Sequence, residues 1–128
     1  MKDETKAWLC YSIENLKSAK ILLGSNLFNP CLQNIQQTVE KSMKALLIEH
    51  ALGLKKSHRI FELKNILDEN GIKIDLSDDD CDYLDTIYLP SKYPLASALP
   101  YFEPNEEICN KGIAIAEKVI NQVKQILY

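Results

Sequence analysis

The chain has 128 residues, of which 46% are hydrophobic and 26% charged, and a net charge of −3. This length holds one domain spanning residues 1–128 with one core, and the slight acidity excludes a protein that coats nucleic acid by bulk charge, so any such site must be a local patch. No apolar run has signal-peptide character or approaches the roughly 20 residues needed to span a bilayer, which predicts a cytoplasmic protein without a membrane segment.

The dominant period is helical. Leu9, Ile13, Leu16, Ala19 and Leu23 place one apolar stripe on a helix from about Glu4 to Leu23, with Gly24 as its stop. Asn29 and Pro30 read as the cap and first position of a second helix, about 24 residues and roughly 36 Å long, ending at Gly53. Its apolar stripe is Leu32, Ile35, Val39, Met43 and Leu46. Ser57 is the expected cap of a third helix carrying Ile60, Leu63, Ile66 and Leu67, which stops at Asn70-Gly71.

Ser77 opens a fourth helix with three aspartates in its first turn. Asn105, followed by two glutamates, opens a fifth on Ile108, Ile115, Val119, Val123 and Ile126. No window alternates convincingly with period two. Residues 89–104, "LPSKYPLASALPYFEP", hold four of the five prolines and form an expected irregular loop. The pattern predicts an all-α, up-and-down bundle of about five helices: two long N-terminal ones, two shorter ones and a long C-terminal one.

Three features invite chemistry and lose it on inspection. Cys10, Cys31, Cys81 and Cys109 are too far apart in sequence for a zinc motif and read as reduced structural thiols. Asp78, Asp80 and Asp82 have the 1-3-5 spacing of a calcium loop. Tyr83 stands where that loop needs glycine and Leu89 where it needs glutamate, so Ser77 and Asp80 read as a capping box instead. No metal and no cofactor are expected.

The second helix also carries a polar stripe, Gln33, Gln37, Lys41 and Lys44, with Gln36 and Glu40 alongside. Spacing alone makes this a solvated face with a Glu40–Lys44 pair one turn apart. The sharper alternative is a groove that receives an anion. Downstream, "LKKSHRIFEL" (54–63) gathers the only arginine, one of two histidines and two lysines. With Ser57 as cap, His58 and Arg59 fall in the helix's first turn and point apart. Cations are unfavourable there, so helix formation gives no reason for them. The knot reads as holding an anion, not cutting a strand.

The succession Gln37, Glu40, Lys41, Lys44 and Leu47, then Lys56, Ser57 and His58, resembles the HEPN family of helical domains. Trp8, Leu16 and Ala19 on the first helix and "YLPSKYP" on the fourth fit as well. The resemblance spans about residues 5–127 and implies a five-helix bundle, a homodimer, and pairing with a minimal nucleotidyltransferase in a toxin–antitoxin-like system. It further implies that the partner modifies a tyrosine near "YLPSKYP". Many members are metal-independent ribonucleases whose arginine precedes a histidine by four to six residues.

That order is impossible here, because His50 and His58 both precede Arg59. Lys44 and His50 are spaced as a lysine variant, but lysine offers a point charge where the chemistry uses a guanidinium fork. Lys92 and Leu95 also replace the family's arginine and aspartate. The expected function is therefore nucleotide or RNA-phosphate binding through Gln37, Lys41, Lys44, Lys56, His58, Lys92 and Tyr93, with no catalytic residue assigned. The alternatives are a diverged ribonuclease toxin and a ligand-free helical scaffold.

Overall fold

The structure is a computed structural model that describes residues 1–53, 56–92 and 103–128, the stretch 88–92 by backbone alone. It contains α1 (Asp3–Gly24), α2 (Phe28–Glu49), α3 (Ile60–Glu69), α4 (Asp78–Lys92) and α5 (Glu106–Leu127). Among the described residues there is no strand, and no helix is long and apolar enough to cross a membrane.

The bundle is built around α2. It packs against each of the other four helices, while α1 also meets α5 and α3 meets α4. The expected stripe Leu32, Ile35, Val39, Met43 and Leu46 is wholly buried, and so are Cys31, Ala45 and Leu47 on other faces. A helix enclosed on so many sides must bury polar groups as well, and α2 buries Gln36, Thr38, Glu40, Ser42 and Lys44. The stripe of α1 is only partly dry: Leu9 and Ala19 are buried, whereas Ile13, Leu16 and Leu23 lie at the core's edge. Two hydroxyls take core-facing positions on α1. Ser12 donates to the Thr38 carbonyl (2.7 Å) and Thr5 to Glu49 (2.9 Å).

Several helix ends differ from expectation. Gly24 is inside α1, and the residue in left-handed backbone beyond it is Asn26 (φ 59°). The amides of Asn26 and Leu27 bond back to the carbonyls of Leu23 and Leu22, the double bond of a Schellman motif. α2 ends the same way at Ala51 (φ 57°), two residues before Gly53, and α3 at Gly71 (φ 78°). Asn29 is not a cap: α2 starts at Phe28, so Pro30 occupies its third position, where a missing N–H is still tolerated. α4 continues through Pro90 to Lys92, so the expected loop begins later than residue 89. Residues 93–102 of that loop lie outside the described residues.

Two caps are as read. Asp80 N donates to Ser77 Oγ (3.0 Å) and Ile108 N to Asn105 Oδ1 (2.8 Å). Cys31, Cys81 and Cys109 are buried, Cys10 is exposed, and all four are free thiols. Burial pushes the Cys31 thiol up to about 12 and Cys81 to about 11, which keeps both protonated and unreactive. Gly112 packs against α2 so closely that a Cβ there would lie 2.8 Å from Ile35 Cδ1 and 2.9 Å from the Tyr83 hydroxyl.

The segment between α3 and α4 does alternate with period two. Ile72, Ile74 and Leu76 are buried, while Lys73, Asp75 and Ser77 are exposed. No second strand accompanies it among the described residues. Instead, the Gln122 carboxamide of α5 accepts from Asp75 N (2.6 Å) and donates to Asp75 O (3.1 Å), pairing with one residue as a neighbouring backbone would.

Candidate functional site

Gln36, Glu40 and Lys44 follow one another at four-residue steps, so they share one face of α2. That face is dry: the Glu40 side chain is 3% exposed and Lys44 8%. The expected Glu40–Lys44 pair is present, with Lys44 Nζ 3.2 Å from Glu40 Oε1, but its solvated setting is corrected. Lys44 Nζ also lies 5.9 Å from the centre of the Trp8 ring. Carboxylate and ring together compensate the ammonium for its lost water.

The same Glu40 oxygen makes a short contact with Nδ1 of His58, whose side chain is 55% exposed. Gln36 Nε2 donates to the His58 carbonyl (2.8 Å), and Gln37 Nε2 donates to Gln36 Oε1 (2.9 Å). Side chains of α2 thus hold both the backbone and the ring of His58, one through each of two successive turns.

The segment before α3 is fixed from α4 as well. Asp85 accepts from Ile60 N (2.7 Å) and Phe61 N (3.3 Å), capping α3 from a distant part of the chain. Burial raises the Asp85 carboxyl above its ordinary range, against the lowering effect of those two amides. Ser57 is therefore not the cap. Its hydroxyl accepts from Arg59 N (3.1 Å) and donates to Glu62. His58 and Arg59 precede the helix, and Arg59 has extended backbone (φ −82°, ψ 119°). Arg59 Nη1 lies 3.3 Å from Glu62 Oε1 in an exposed pair.

Lys41 faces α1. Its Nζ donates to Asn15 Oδ1 (3.0 Å) and lies 5.7 Å from the Tyr11 ring centre. Asn15 Nδ2 in turn donates to Asn34 Oδ1 (2.9 Å). The Lys44–His50 spacing forms no site: Lys44 is held by Glu40, and His50 Nδ1 lies 2.9 Å from the Leu46 carbonyl. Lys56 is exposed beside His58 in sequence. The side chain of Lys92, and Tyr93 altogether, lie outside the described residues. Among the described residues, no group of three or more His, Cys, Asp or Glu is placed to hold a metal.

The arrangement joins Gln37, Lys44 and His58 through Gln36 and Glu40, and sets Lys41 across the α1–α2 seam. Chemically, one buried carboxylate lies between an ammonium and an imidazole. It anchors the half-exposed ring through Nδ1 and so fixes the ring's orientation, which both anion contact and proton transfer require. Trp8 and Asp85 are the contributors that spacing does not disclose. Asp85 acts across 25 residues, a separation at which no local pattern exists.

A family model described as "HEPN domain" matches residues 5–126. TT1696 from Thermus thermophilus superposes with a TM-score of 0.79 at 22% identity, covering 97% of this chain and 98% of that one. ST0689, described as an archaeal HEPN homologue, superposes with a TM-score of 0.73 at 24% identity over 100% of both chains. No curated protein matches the chain.

Proposed function

The chain belongs to the HEPN domain family, and on that premise we propose that it is a binding module for a nucleotide or RNA phosphate. The observation that carries this reading is the half-exposed His58 ring seated on buried Glu40. The ring there and exposed Lys56, two residues before it in sequence, supply a hydrogen-bonding group and a cation on an otherwise acidic chain. Gln37 and Lys41 extend the site along α2, with Lys92 and Tyr93 as further members. Lys44 contributes by holding Glu40. The module works as a cytoplasmic homodimer, and its partner is a minimal nucleotidyltransferase in a toxin–antitoxin-like pair that modifies a tyrosine near "YLPSKYP".

Calorimetric titration with ATP and with a short RNA tests the binding reading. Saturable binding that His58→Ala and Lys56→Ala each weaken by about tenfold is the expected result, equivalent to about 1.4 kcal/mol. A ligand at 100 times its dissociation constant also stabilises the fold by about 2.7 kcal/mol, readable as a melting shift. No shift with any nucleotide at millimolar concentration would leave only the ligand-free scaffold. Co-purification with a nucleotidyltransferase encoded alongside tests the pairing.

The Glu40–His58 contact favours a second reading, a metal-independent ribonuclease in which Glu40 orients the ring as an acid–base group. Dose-dependent cleavage of mixed RNA without metal, abolished by His58→Ala, is its signature.

A further inference from the structure

The aromatic side of the α1–α2 seam has features that packing does not require. Trp8 and Tyr11 lie one turn apart on α1, and Lys44 and Lys41 lie one turn apart on α2, each ammonium over one ring. Tyr11 is 55% exposed, a large ring left in water beside a helix whose apolar stripe faces elsewhere. Trp8 is anchored at the edge of the core. The two lysines differ in charge balance. Glu40 offsets Lys44, whereas among the described residues no carboxylate lies within ion-pair distance of Lys41, whose partners are an amide oxygen and a ring.

We propose that Trp8 and Tyr11 form a base-stacking wall that takes two successive bases of a single-stranded RNA, with Lys41 on the phosphate between them. This rests on the binding reading above and adds to it the base, the strand length and the side of the site. Residues three apart on a helix have Cβ atoms about 5–6 Å apart, so the two rings are neighbours on which an unstacked strand can lay successive bases. Stacking is indifferent to sequence, because every base has a π-face, which suits a wall without base-specific pockets. Lys41 leaves the Tyr11 face for the phosphate, and the base takes its place on the ring. The Trp8–Lys44–Glu40–His58 chain of contacts joins this wall to the imidazole.

Trp8 is the chain's one tryptophan, so its emission reports the wall directly in the unmodified protein. Four probes separate the outcomes: a ten-nucleotide RNA, the same oligomer without bases, tripolyphosphate, and UMP. The expected result is saturable quenching of Trp8 by the RNA, weaker quenching by UMP, and none by the other two. In calorimetry, Tyr11→Ala should weaken RNA binding at least about fivefold and leave tripolyphosphate unchanged, while Tyr11→Phe binds RNA as the parent does. RNA binding with unchanged emission and an unaffected Tyr11→Ala variant would overturn the wall and leave the phosphate reading intact. Equal quenching by the base-free oligomer would overturn it too. Failure of both RNA and tripolyphosphate to bind would overturn the reading beneath it.

Discussion

On the side of α2 that meets α5, Ile35 lies so close to Gly112 that no Cβ fits between them. On the side that meets residues 56–59, Glu40 lies among Lys44, His58 and Gln36's partners with almost no exposure. Ile35 and Glu40 are both buried, and the two sides differ in how they fail. The apolar side is non-directional but close-packed, so it fails when atoms are forced into it or a cavity is left. The polar side is directional, so it fails when one partner leaves and another is stranded.

The largest expected effect tests the polar side. Glu40→Ala leaves the Lys44 ammonium buried without its carboxylate and should cost about 3–5 kcal/mol. The double variant Glu40→Leu with Lys44→Met should be far less damaged than the single one, because no charge is left unpaired. Urea unfolding of Glu40→Leu, Lys44→Met and the double variant measures the coupling, and additive losses would break the comparison. Gly112→Ala probes the apolar side. Overpacking of about 1–3 kcal/mol there exceeds the roughly 1 kcal/mol that alanine gains in helix propensity, so the same assay should show a net loss.

A backbone control sits where both sides end. Ala51 adopts left-handed backbone in the motif closing α2. Ala51→Gly relieves that strain and should stabilise the protein by about 0.5–1 kcal/mol, seen as a raised melting temperature. The smallest effect contrasts Glu40 with Glu49, the same residue type at the open end of α2. The Lys2 amide, then the Thr5 hydroxyl, hold the Glu49 carboxyl below its ordinary 4.5. A lowered value stabilises the fold above pH 4.5, and that contribution is lost as pH falls through the folded value. Protection of the amides at the start of α1, taken relative to their intrinsic exchange rates, should therefore fall at acid pH, and Glu49→Gln should remove that pH dependence.

The helices are legible in the sequence because their apolar residues recur with the period of one face, and Asn105 and Ser77 cap through local bonds that sequence encodes. The site is half legible. Gln37, Lys44 and His58 stand out as candidates, but spacing does not reveal that α2 is enclosed, which turns a solvated stripe into a buried one. Nor does it reveal Asp85, whose carboxylate displaces Ser57 as the cap of α3. The alternation in "IKIDLS" is present to be read. It escapes notice because it is short and no second apolar run of the same period pairs with it.

The Gln122 carboxamide that closes on Asp75 bears on how the protein avoids open-ended strand pairing with its own copies. A segment with alternating apolar side chains is a ready template for adding a strand from another chain. By occupying both backbone groups of Asp75, and with charged Lys73 and Asp75 facing water, α5 withholds that template. One side-chain amide thus serves as a guard against aggregation in a fold that otherwise has no sheet edge to defend among its described residues.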